Sequence, residues 1–416
     1  MNVPKILLVT AVFITGFCWS VMADNSGRIF GKITTVDGDL LEGLIRWDKN
    51  EGSWVDILNG QKELSRMNLR DVERKTRRKY SSSRSIKIFG IKIADDDSRY
   101  TRWSSMAQSG IRFGHIKTME CVDDDRVLLV LKSGEEVEME NYSTDIGTGI
   151  REIIIEDLKE GEVELVWDDI EKIEFMPATT SEKSVYGERL YGTLTTRRGD
   201  TFSGYVCWDI DELFEEDVLD GEENKRKRKI KFGKIASISR YSSSGATVVL
   251  KTGEEMVLRG TNDVNSSNRG IVISDPDLGD VVVKWDDFDK LEFKAAPRQV
   301  QYAEFDGGRP LRGTVYTEDG SSYKGAVRWD NDEEYTWEIL DGDNRDVEFN
   351  IEFSKIKEIK RKSYRGSEVT LWDNRMFYLR GSNDVDEDNK GIIITLDDGD
   401  EVVVEWDEFN RLEFTK

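Results

Sequence analysis

Apolar and polar residues alternate in short runs along this chain, most clearly in VVVKWDDFDKLEF at 281–293. On a strand, Val281, Val283 and Trp285 share one face, and Val282 and Lys284 share the other. The Trp face is apolar, so the indole is predicted to enter a core. Asp286 then stands where its carboxylate can cap a single turn, and Phe288, Leu291 and Phe293 continue as a short closing strand. The same text recurs as ELVWDDIEKIEF at 164–175 and VVVEWDEFNRLEF at 402–414, with Trp167, Asp168, Trp406 and Asp407 in the corresponding places. Each copy predicts strand, capped turn, strand. Elsewhere, runs rich in Val, Ile, Thr and Tyr are broken by Asp-Gly, Arg-Gly and Thr-Gly, and no sustained helical stripe occurs. The chain reads as all-β.

Self-comparison divides it into three tandem units, 27–175, 187–293 and 307–414. Each opens with Gly-x6-Gly-x4-Gly-x3-Trp-Asp: Gly31, Gly38, Gly43, Trp47, Asp48; then Gly192, Gly199, Gly204, Trp208, Asp209; then Gly313, Gly320, Gly325, Trp329, Asp330. The first and second Trp-Asp pairs are 77 residues apart in copies two and three and 120 apart in copy one. Copy one therefore carries about 43 extra residues, placed near 76–110, in which IKIFGIKI reads as a strand. In the second strand of each unit, Trp47, Trp208 and Trp329 face inward, and Arg46, Cys207 and Arg328 face outward.

The half-unit pattern of spaced glycines ending in Trp-Asp resembles the first hairpin of SH3-like and Sm-like barrels. The resemblance covers most of the chain at the level of strand and turn spacing. It implies three units that are each a pair of small SH3-like β-barrels, which close their sheets and so remove exposed edges.

The formal net charge of −23 works against a nucleic-acid partner. The start, MNVPKILLVTAVFITGFCWSVMA, has one Lys, an apolar run and a small closing residue, which predicts a signal peptide over 1–23. No later run is long and apolar enough to span a membrane as a helix. The mature protein is expected to be periplasmic, at the cell surface or secreted. Export permits a disulfide between Cys121 and Cys207.

Candidate chemistry is sparse. The only histidine, His115, stands where the other copies have Lys234 and Lys355, and is expected at the surface. In NDVDEDNKG at 383–391, Asp384, Asp386 and Asp388 alternate as calcium-loop ligands do, but Gly391 falls late and no closing Glu follows at the expected distance. Calcium is thus the alternative to a solvated turn, and no other cofactor is expected. The acidic loops 209–217 and 330–338 carry Phe214, Tyr335 and Trp337 among carboxylates. The basic runs 74–79 and 225–229 read as solvated loops or docking points for an acidic partner. Repetition without a catalytic set points to an exported, non-enzymatic binding or scaffold protein with an unidentified protein partner. A carbohydrate- or calcium-binding module is the alternative, and it predicts exposed Trp54, Trp337 or Trp372 beside acids. A hydrolase using paired carboxylates is the third reading and requires a cleft.

Overall fold

The computed structural model describes residues 23–63, 86–88, 91–93 and 106–416. The predicted signal peptide up to residue 22, the basic run 74–79 and most of the predicted insertion lie outside the described residues. Within that insertion Ile86–Ile88 and Ile91–Ile93 pair as a small antiparallel hairpin.

The described chain is all-β, in three large antiparallel sheets of ten, twelve and eight strands. Every unit is written from ten strands. In unit 2 these are Tyr191–Thr196, Thr201–Trp208, Val218–Glu223, Arg226–Lys231, Ile235–Ser242, Gly245–Leu250, Glu255–Arg259, Ile271–Asp275, Gly279–Val283 and Phe288–Phe293. Their order across the sheet is ninth, eighth, second, first, tenth, fifth, sixth, seventh, third, fourth, and unit 1 has the same order. The ladder is open, and no barrel closure occurs among the described residues. The halves are nested rather than tandem, because strands three to seven form one continuous group inserted between strands two and eight. The repeated Trp-Asp text hides this nesting, since strand pairing is non-local. The first and last strands of each unit pair with each other, Leu194 opposite Leu291 and Val315 opposite Leu412, so the two halves of a unit are joined through its last strand.

The two Trp-Asp segments of a unit meet in one core. Trp47 and Trp167 lie 6.2 Å apart, Trp208 and Trp285 6.3 Å, and Trp329 and Trp406 6.3 Å, all edge to face. The predicted inward faces hold: Val281, Val283 and Trp285 are buried, and Lys284 is exposed. Two of the three spaced glycines have separate causes. Gly199 turns the first hairpin at φ +90°, where a side chain is strained. Gly204 lets the eighth strand approach, since a Cβ there would sit 2.4 Å from the Ser274 carbonyl oxygen. Gly204→Ala is expected to lower stability by about 1–3 kcal/mol through this backbone clash. Urea unfolding followed by tryptophan fluorescence measures it, and an unchanged midpoint would refute the close-approach reading.

Units 2 and 3 share a sheet. The ninth strand of unit 2, Gly279–Val283, pairs with the fourth strand of unit 3, Val347–Glu352, with Val281 opposite Phe349. Unit 1 docks through ion pairs instead. Arg46 reaches Asp217 at 2.9 Å, Arg189 reaches Asp56 at 2.9 Å, and the Arg28 guanidinium lies 4.1 Å over the Phe214 ring.

This docking corrects three expectations. Arg46 and Cys207 face outward from their own unit, as predicted, but that face is covered by the neighbouring unit, and both are buried. Cys207 packs with Leu213 and Phe214, Cys121 lies half-buried in unit 1, and the two are free thiols rather than a disulfide. His115 is buried, not exposed. Its Nδ1 accepts the Gly307 N–H at 3.1 Å, its ring meets Phe305 edge to face at 5.1 Å, and its Nε2 faces Glu352 at 3.6 Å. The linker 294–311 covers it, a layer for which the Lys-bearing copies have no counterpart.

Candidate binding site between the three units

The first Trp-Asp of each unit builds a buried polar turn. Asp48, Asp209 and Asp330 and the residues after them adopt positive φ, from 42° to 70°, so the chain doubles back at once. Each carboxylate is fully buried and accepts a backbone N–H and a cationic side chain from the loop before the eighth strand. Asp48 takes Arg151 N at 2.6 Å, and Asp209 takes Arg269 N at 2.6 Å. The Lys390 ammonium reaches Asp330 at 3.1 Å. The same loop supplies a second buried acid, Asp145, Asp263 or Asp384. Its carbonyl accepts the first Trp indole N–H at 2.8, 2.9 and 3.0 Å, and its carboxylate accepts a third-strand N–H at 2.7, 2.7 and 2.8 Å.

Asp384 is thereby committed to holding Trp329 and the third strand. Asp386 turns to the Asp388 N–H, and Asp388 is exposed, so the three predicted calcium ligands do not converge. Among the described residues no three acids, histidines or cysteines stand together to hold a metal ion.

The second Trp-Asp differs from the first. Trp167, Trp285 and Trp406 are buried, while Asp168, Asp286 and Asp407 are exposed. Asp286 does not cap its turn. It pairs with Arg240 at 3.2 Å, and the Asp287 and Phe288 N–H groups close the turn on the Lys284 carbonyl. In unit 1 the third residue, Asp169, accepts the Val166 N–H at 3.0 Å.

Four residues after the first Trp stands a glutamate in every unit: Glu51, Glu212 and Glu333. Sequence reasoning passed over this position, although its recurrence at fixed spacing was visible. All three have a carboxylate oxygen, Oε2, that is buried without a hydrogen-bond partner. Burial pushes Glu212 up to about 9, with Asp263, Asp209, Asp211 and Asp217 adding to the rise. Burial also raises Glu51 and Glu333 well above the carboxylate range, reinforced by Asp145 and Asp48 around Glu51 and by Asp332 and Asp384 around Glu333.

Glu51 and Glu333 open into a cavity of about 400 Å³ where the three units meet. Unit 1 lines it with Glu51, Asp56 and Asn59, unit 2 with Arg189 and Asp280, and unit 3 with Glu333, Glu348 and Asp384. Among the described residues Arg189 is the only cation in the lining, and it is held by Asp56. Burial raises Asp280 to about 6 despite the nearby Arg112 charge, and its Oδ1 has no partner. The cavity is thus lined by acidic residues from each of the three units. Its carboxylates do not converge as a metal-binding group among the described residues, which suits a cation with separated charges better than one bare ion.

The aromatic residues expected to flank exposed acids are elsewhere. Trp54, Trp337 and Phe214 are fully buried, and Trp372 is half-buried beside Lys416. The basic run 225–229 starts in the turn at Lys225 and continues on the exposed fourth strand of unit 2. No family model, no curated protein and no solved structure matches this chain.

Proposed function

We propose that this chain is an exported, non-enzymatic binding protein whose three units assemble around an acidic cavity that receives a small organic polycation. The observation that carries this reading is the set of carboxylates that three units bring to the lining of one cavity, Glu51 and Asp56 from unit 1, Asp280 from unit 2, and Glu333, Glu348 and Asp384 from unit 3. Gathering carboxylates around one cavity is costly, and a ligand with spaced ammonium groups would offset their mutual repulsion. A volume of about 400 Å³ falls in the range of small-molecule sites. On this reading the two nested five-strand groups of a unit are small SH3-like barrel folds that have merged into one sheet, and their role is to place the acid-bearing turns. The burial of Trp54 and Trp337 weighs against the carbohydrate reading, which needs stacking faces in solvent. Calcium remains the comparison ligand.

Titration calorimetry of the mature chain with spermidine at pH 8 tests the proposal. Saturable binding is expected, absent with sodium chloride at matched ionic strength, and weakened by about tenfold or more in Glu51→Gln with Glu333→Gln. Heats no larger than those of the salt control, or binding that ignores both substitutions, would overturn it. Binding of calcium alone would return weight to the metal alternative.

A further inference from the structure

The sheet shared by units 2 and 3 has unfilled counterparts elsewhere in the same chain. In the filled joint, the ninth strand of unit 2 pairs with the fourth strand of unit 3, running Gly279 opposite Ile351 to Val283 opposite Val347. The ninth strand of unit 3, Glu401–Val404, pairs with its own eighth strand as Gly279–Val283 does, Val402 opposite Ile394 and Val404 opposite Ile392. The fourth strand of unit 2, Arg226–Lys231, is hairpinned to its third as Val347–Glu352 is. Among the described residues, each of these two strands pairs on one side only and ends its sheet.

We propose that these two edges join between copies of this chain: the ninth strand of unit 3 in one copy adds to the fourth strand of unit 2 in the next. Transferring the observed register by the repeat alignment sets Glu401 opposite Lys229, Val402 opposite Arg228, Val403 opposite Lys227 and Val404 opposite Arg226. The charges are complementary. The incoming hairpin carries Asp397, Asp398, Asp400 and Glu401, and the receiving strand and its turn carry Lys225, Arg226, Lys227, Arg228 and Lys229. Residues 225–229 are all exposed, and the Lys229 side chain is 74% exposed. The apolar run Val402–Val404 has no charge to blunt its edge, the kind of strand that pairs with another chain unless protected. The aliphatic stems of Arg226, Lys227 and Arg228 would cover those valines. Opposite charges placed directly across an antiparallel pair favour that register.

The two surfaces lie on different units, so the contact is heterologous. It propagates head to tail and gives a chain or ring of copies rather than a closed two-fold dimer. The net charge of −23 opposes approach at long range, so assembly is expected at physiological ionic strength, where contacts outlast the screened repulsion.

The ninth strand of unit 1, Gly161–Leu165, is the competing acidic edge. It carries Glu162, which accepts from the Tyr186 hydroxyl at 2.8 Å, and Glu164.

The experiment uses the mature chain and cysteine variants at exposed positions. Mixing Glu401→Cys with Lys229→Cys under mild oxidation is expected to give a mixed dimer well above the level of either variant alone. A chain carrying both substitutions is expected to give a ladder of multimers. In sedimentation velocity, Lys229→Glu should weaken association about tenfold or more, and adding Glu401→Lys should restore it. Both substitutions are on the surface, and an unchanged melting temperature separates lost assembly from lost folding. Sedimentation as a monomer at every concentration, or a mixed dimer formed by Glu162→Cys in place of Glu401→Cys, would overturn the proposal.

Discussion

Glu352→Ala is expected to destabilise the assembled protein by about 3–5 kcal/mol, because it strips the partner from a buried cation where three units meet. Arg112 of unit 1 is 1% exposed. It donates to the carbonyls of Asp275 and Pro276 in unit 2, at 3.2 and 3.4 Å, and its Nε lies 3.5 Å from Glu352 of unit 3. Burial alone would raise the Glu352 carboxyl, but His115 and Arg112 together hold it well below the usual range. His115 Nδ1 accepts the Gly307 N–H, and its Nε2 lies 3.6 Å from Glu352. Removing the carboxylate leaves the guanidinium charged and buried. Urea unfolding should show the loss, and Glu352→Gln should fall between the two because it keeps the shape. Asp397→Ala at an exposed ion pair provides the contrast, with an effect under about 1 kcal/mol. Equal, small effects at both positions would remove Arg112–Glu352 as the joint of the units.

The melting temperature should fall as pH rises from about 5 to 9, the reverse of ordinary acid denaturation. Glu212 titrates near 4.5 in the unfolded chain and about 9 in the fold. Between those values the folded state holds a proton that the unfolded state has released, so stability is full below pH 4.5 and lost as pH rises through the folded value. Glu51 and Glu333 are raised in the same direction, and Asp263 and Asp280 add a narrower window that closes at about 6. The facing groups do not cancel this. Around Glu212 they are Asp263, Asp209, Asp211 and Asp217; around Glu51 they are Asp145, Asp48, Asp56 and Arg151; around Glu333 they are Asp332, Asp384, Asp330 and Lys62. The loss summed over these sites is on the order of several kcal/mol. Glu352 works the opposite way and brings a separate loss below about pH 4. Scanning calorimetry from pH 4 to 9 gives the curve, and Glu212→Gln should flatten its alkaline side. A melting temperature that stays level or rises between pH 5 and 8 would count against charged-form burial at these turns. A bound polycation should flatten the same slope, which ties the measurement to the cavity.

Much of the fold was written locally. The strand-and-turn alternation, the three units, the faces of Val281, Val283 and Trp285, and the extra segment in copy one all follow from periodicity and repeat spacing, which depend on residues near one another. The recurrence of Glu51, Glu212 and Glu333 was legible in the same way, as a third fixed point after each Trp-Asp, but nothing in the sequence says that two of them line one cavity. The sequence could not tell the buried Asp209 from the exposed Asp286, because both follow a core Trp and differ only in what the next loop brings to them. Nor could it show that Cys207, His115 and Arg46 are buried. Arg46 and Cys207 point away from the inward face of their strand and His115 ends a single turn, and burial comes from a second unit or a linker arriving there. Repeat alignment averages over copies, whereas docking depends on where copies differ. Tertiary structure decided which outward faces became interior, which edges were used at 279–283 and left open at 401–404, and where unpaired acids gathered, since each depends on contacts between residues far apart in the chain.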